Sequence, residues 1–130
     1  MITLANGATT LTLPADLLWS DEFEWRPVAQ ATDYTLTGAL IVQAAARTAG
    51  RPITLRSGDN YAVLTRQQLD TLSAWADVPG QQMTLSIRGI SRTVMFAHQD
   101  APVITAEMLL YHAAPQAGDL YRCTIKLIET

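Results

Sequence analysis

Apolar and polar positions alternate with period two at both ends of the chain, and the period lengthens to that of a helix once, near the middle. In residues 1–14, Ile2, Leu4, Leu11 and Leu13 alternate with smaller or polar residues on either side of Asn6-Gly7. An Asn-Gly step between two alternating runs is the strongest short-range hairpin signal, so strands are predicted near 2–5 and 9–13. Residues 15–33 show no clean period. Trp19, Phe23 and Trp25 stand there among Asp16, Asp21, Glu22 and Glu24, and Pro27 interrupts them. The segment reads as a long aromatic and acidic loop or arm.

Residues 34–47 fit either regular element. Tyr34-Thr35-Leu36-Thr37 is β-branched and aromatic, as strands are, whereas Gln43-Ala44-Ala45-Ala46 has high helix propensity. The simplest account is a long strand, a turn over 48–51 and a return strand through Ile53-Thr54-Leu55. Ser57-Gly58-Asp59-Asn60 is a turn, and a short strand is predicted over 61–64. The helix is predicted at about 65–77. Thr65 and Gln68 match a capping box, and Leu64 can staple to Leu69. Leu69, Leu72, Trp75 and Ala76 recur at helical spacing, and Pro79-Gly80 ends the run. Strand patterns follow at 83–88, 93–98, 103–111 and 121–127. In the last of these Tyr121, Cys123, Ile125 and Leu127 form one inward face.

Strands, one helix and then an antiparallel run of strands define a mainly β fold with one α-helix. The expected architecture is an antiparallel split β-barrel or sandwich with the helix capping one side. Residues 1–33 would supply an N-terminal hairpin and the aromatic arm, and residues 34–130 the barrel, all in one structural domain.

Composition narrows the function. The 130 residues are 48% hydrophobic and only 16% charged. So little charge leaves less polar surface to cover the outside, which favours apolar surface covered by a partner or by further copies; a fully buried interior is the plain alternative. The net charge is −3, and no run of Lys or Arg gives the footprint of a nucleic-acid binder. Cys123 is the only cysteine, which excludes an internal disulfide framework. No signal-peptide pattern or membrane-spanning run is present, so no membrane partner is expected.

Candidate chemistry is sparse. His98 and Asp100 share a turn and His112 stands apart, too few ligands for structural zinc. Cys123 falls on an inward position, that of a small buried hydrophobe. Asp21, Glu22 and Glu24 crowd one short stretch, whereas acid–base catalysis needs carboxylates facing one another across a cleft. No phosphate-binding glycine loop or nucleophile elbow occurs, so no catalytic residue and no cofactor is assigned. The residues singled out are Trp19, Phe23 and Trp25, which either anchor an interface or fold back onto the body. Arg47 and Arg51 are either rim contacts of that interface or solvated charges.

The run Tyr34-Thr35-Leu36-Thr37-Gly38-Ala39-Leu40-Ile41-Val42, then Ala49-Gly50-Arg51-Pro52-Ile53-Thr54-Leu55, the helix and Met83-Thr84-Leu85 resemble small tail proteins of tailed bacteriophages and prophages. The strand, hairpin, helix, strand order is similar to the split β-barrel of tail-tube subunits and distal tail proteins. The similarity covers most of residues 34–130, and residues 1–33 carry no matching motif. It implies a non-enzymatic virion protein, made in the host cytoplasm, that forms a homo-oligomeric ring with other tail or baseplate proteins. A monomeric ligand-binding β-barrel is the alternative, and it would need an apolar cavity with a few polar groups.

Overall fold

A computed structural model describes residues 2–59, 61–111 and 113–130. His112 and the Asn60 of the expected turn lie outside the described residues. The elements are β1 (Ile2–Asn6), β2 (Thr9–Leu13), β3 (Leu18–Trp19), β4 (Val28–Tyr34), β5 (Leu40–Ala46), β6 (Pro52–Arg56), β7 (Leu64–Thr65), α1 (Arg66–Ala76), β8 (Met83–Ile87), β9 (Ile90–Phe96), a 3₁₀ turn (His98–Asp100), β10 (Ile104–Met108) and β11 (Leu120–Glu129). Among the described residues nine strands form one antiparallel sheet in the order β2-β1-β8-β9-β11-β6-β3, with β10 and β7 also paired to β11; β4 and β5 form a separate two-stranded sheet. The protein is thus mainly β with one short helix, as the patterning predicts.

β11 organises the sheet. Its ten residues give a strand of about 33 Å, long enough to change partners along its length. On it, Tyr121 to Ile125 pair with β10, Thr124 to Ile128 with β6, and Leu127 to Glu129 with β9. Tyr121, Cys123, Ile125 and Leu127 all point inward and are buried. They join Ile2, Leu4, Ile53, Leu55, Met83, Leu85, Val94 and Phe96 in one core cluster.

Among the described residues the hydrogen-bonded ladder stays open, with β2 at one end and β3 at the other, and no closed barrel forms. The sheet curls instead. Residues from both ends share the core cluster, and Leu17, Trp19, Ile2 and Ile87 together line one small cleft of about 60 Å³. An ion pair between Arg88 and Glu22 spans the same seam. Side-chain packing therefore closes what backbone pairing leaves open.

The helix follows its sequence signals closely. The Thr65 side chain accepts from the Gln68 amide, and the Gln68 side chain accepts from the Thr65 amide, satisfying two N-terminal groups at once. Gln68 also donates to the Thr12 carbonyl at 2.9 Å, tying the helix start to β2. Leu69 and Leu72 are buried in the core, with Trp75 packed against it.

Candidate functional site: a projecting hairpin and its arginine–tryptophan root

Two expectations are corrected by residues 15–46. The 15–33 stretch is not irregular throughout, because β3 and most of β4 lie in it. And β5 does not pair with β6: it pairs with β4, from Val28 opposite Ala46 to Tyr34 opposite Leu40, while β6 lies between β11 and β3. The turn chemistry explains the choice. Gly38 at φ +86° takes the left-handed conformation that glycine adopts without steric cost. The Gly38 amide donates to the Thr35 carbonyl at 3.0 Å, the Thr35 amide to the Ala39 carbonyl at 2.8 Å, and the Ala39 amide to Thr35 Oγ1 at 3.1 Å. A tight turn at 35–38 returns the chain at once, and β5 meets β4 before it can reach β6.

The resulting hairpin, about 20 Å long at the usual rise per residue, makes no ladder with the main sheet among the described residues. Cross-strand partners share a face, so one face carries Val28, Gln30, Thr32 and Tyr34 with Leu40, Val42, Ala44 and Ala46. The other carries Ala29, Ala31 and Asp33 with Ile41, Gln43 and Ala45. The bulky members of the first face, Val28, Tyr34, Leu40 and Val42, are all half-exposed or more, and Leu36 at the tip is fully exposed. Asp33 is the only charged residue from 28 to 46. Exposed strand edges are ordinarily blunted by lysine, proline or a covering element, and these two strands contain no lysine or proline.

The hairpin root gathers four of the five residues singled out from sequence. The Arg47 guanidinium lies 5.9 Å from the Trp25 ring centroid, and Arg51 lies 5.2 Å from Trp25 and 5.9 Å from Trp19. Arg92 adds a further stack, 4.9 Å from Trp19, and is ion-paired with Glu129 at 3.4 Å. Arg92 and Glu129 were not legible as part of this group, since β9 and β11 bring them in from distant sequence. Each contact of this kind contributes about 0.5–1 kcal/mol where exposed and more where water is excluded.

The fifth residue, Phe23, lies apart and is 74% exposed. Trp19 is only 6% exposed and belongs to the core, paired through β3 to Leu55. The acidic stretch also divides. Asp21 accepts from the Thr54 amide at 2.9 Å and from the Thr54 hydroxyl at 3.0 Å, continuing the β3 edge onto β6. Glu22 binds Arg88, and Glu24 is exposed.

The remaining candidates sit elsewhere. Asp100 is ion-paired with Lys126 at 3.5 Å, and the His98 ring lies 6.2 Å from Phe96. Among the described residues no three metal-ligating side chains come together, and no helix is long and apolar enough to cross a membrane. Burial pushes the Cys123 thiol above its ordinary pKa, opposed by a hydrogen bond with Ser57 at 3.6 Å. Because the folded value is raised, an unfolded chain loses its thiol proton first as pH rises. The thiol's contribution to stability is therefore complete below the unfolded value of about 8.5 and is lost as pH climbs through the folded value. Urea unfolding across that window should show stability falling more steeply with pH in the parent than in Cys123→Ala. Equal slopes would contradict this environment for the thiol.

Comparison with protein-family models, curated proteins and solved structures finds no match to this chain.

Proposed function

We propose that this protein is a non-enzymatic assembly subunit, a virion structural protein that forms a ring in a phage tail tip, baseplate or tail tube. The 28–46 hairpin is the arm that joins one copy to the next. The observation that carries the reading is this hairpin: two unblunted strands with an apolar face and a fully exposed leucine at the tip, held away from the body's own core. A lone two-stranded hairpin is marginally stable in water. Packing its bulky face on a neighbour would bury Val28, Tyr34, Leu40 and Val42, and an unpaired edge would offer main-chain bonds to a neighbouring strand. The resemblance of residues 34–130 to tail-tube and distal tail proteins points to the same use. A head-to-tail contact of this kind, arm to body, closes into a ring when its rotation closes.

The test is native mass across a concentration series, for the parent and for a variant in which 28–46 is replaced by a short glycine-containing turn. The parent is expected to form one closed oligomer, and the shortened chain to remain a folded monomer. A parent that stays monomeric at every concentration, or a shortened chain that assembles like the parent, would overturn the reading.

A further inference from the structure

We propose that the stack of Trp25, Arg51 and Trp19 fixes the direction in which the hairpin projects, with Arg51 as its central positioning residue; the proposal rests on the hairpin being the assembly arm. Among the described residues the hairpin shares no ladder with the main sheet, so its direction is set at its root. Two chain crossings form that root. The incoming one carries Trp25, three residues before Val28, and the outgoing one carries Arg47, directly after Ala46. The Arg47 amide donates to the Pro27 carbonyl at 2.9 Å, which clasps the crossings together. Just beyond, the Gly50 amide donates to the Glu129 carbonyl at 2.9 Å and the Glu129 amide to the Arg51 carbonyl at 2.8 Å. These two bonds pin the backbone of 50–51 to the end of β11.

Side chains then connect the pinned part to the arm. Trp19 is buried in the core and is a fixed reference. Arg51 lies over Trp19 and over Trp25, so it bridges the rigid body and the incoming crossing. Arg47 lies over Trp25 from the outgoing crossing. Among the described residues neither Arg47 nor Arg51 has a carboxylate within ion-pair distance, whereas Arg92 at the far end of the group is paired with Glu129. The rings, not an ion pair, therefore orient the two guanidinium groups. A planar guanidinium stacks on aromatic faces in a way that an ammonium group cannot reproduce. Removing the planar group leaves the clasp formed but opening more often, and frees the crossing to swivel.

Spin labels at Leu36→Cys on the tip and Thr84→Cys on β8, in a Cys123→Ala background, report the tip-to-body distance. The parent should give one narrow distribution, broadened in Arg51→Met and in Trp25→Leu, with the double variant no broader than Trp25→Leu alone, because that substitution already breaks the Arg51 link. Arg51→Lys should fall between parent and Arg51→Met. Hydrogen exchange at the Arg47 amide should quicken by about tenfold in Arg51→Met while core amides of β11 stay unchanged. If Arg51→Met fails to fold, Trp25→Leu, whose ring lies outside the core, carries the same test. A folded Arg51→Met or Trp25→Leu with the parent's narrow distribution overturns the proposal, as does full additivity in the double variant. Substitutions on the hairpin's apolar face separate this from the reading beneath it, since they should abolish assembly without broadening the distance.

Discussion

Trp19→Ala should destabilise the protein by about 3–5 kcal/mol, the usual cost of deleting a large buried aromatic. Phe23→Ala, four residues on, should stay within about 0.5 kcal/mol, as exposed substitutions do. The contrast follows from where the chain places the two rings. Trp19 sits in β3, paired to Leu55, and packs in the cluster with Leu17, Ile2 and Ile87 at the seam of the curled sheet. Its loss would open a cavity where no backbone ladder closes the sheet, so the surroundings have little to hold them in register. It would also remove the rings' hold on Arg51 and Arg92. Phe23 lies outside that cluster and projects into solvent. Chemical unfolding of the two variants checks the pair. A Trp19→Ala variant as stable as Phe23→Ala would mean that the seam is not closed by packing.

Replacing Tyr34, Leu40 and Val42 together with threonine should leave a folded monomer. Threonine keeps the strand preference of these positions, so the hairpin itself is retained while its apolar face is stripped. Each of these side chains is half-exposed or more in the single chain, and burial of such a side chain against a neighbour contributes on the order of 1–2 kcal/mol. Three losses at every contact would weaken association by about a hundredfold or more. Serine at Ala29, Ala31 and Ala45, on the opposite face, should change association far less. Sedimentation velocity with circular dichroism compares the two sets. Equal effects from both faces would contradict a docking face made of the bulky residues.

The readability of each element in the sequence depends on whether burial constrains it. The helix and β11 were plain, because one face of each must be apolar: Leu69 and Leu72 on α1, and Tyr121, Cys123, Ile125 and Leu127 on β11, are all buried. β4 and β5 have no buried residue, so nothing in the single chain imposes alternation. Val28-Ala29-Gln30-Ala31 reads as loop, and Gln43-Ala44-Ala45-Ala46 reads equally as helix. Their pairing was decided by the 35–38 turn, whose Gly38 was visible but whose neighbours looked like strand interior.

The aromatic and acidic segment stands out in the sequence, and Trp25, Arg47 and Arg51 do meet at one place. The projection, however, starts just after that segment. Trp19 takes the second of its two expected placements and folds back onto the body; the sequence leaves the choice open because a two-residue strand is too short to show a period and the adjacent carboxylates suggest exposure. Asp21 and Glu22 are instead satisfied by Thr54 and Arg88.

The central claim is that the tip of the hairpin rests on another copy of this chain. A photo-reactive side chain placed at Leu36, with the purified protein irradiated at concentrations spanning its association, tests it directly. The account predicts adducts that join residue 36 of one copy to the body of another and that vanish when Tyr34, Leu40 and Val42 are threonine. Adducts formed only within single chains, or none at any concentration, would contradict it.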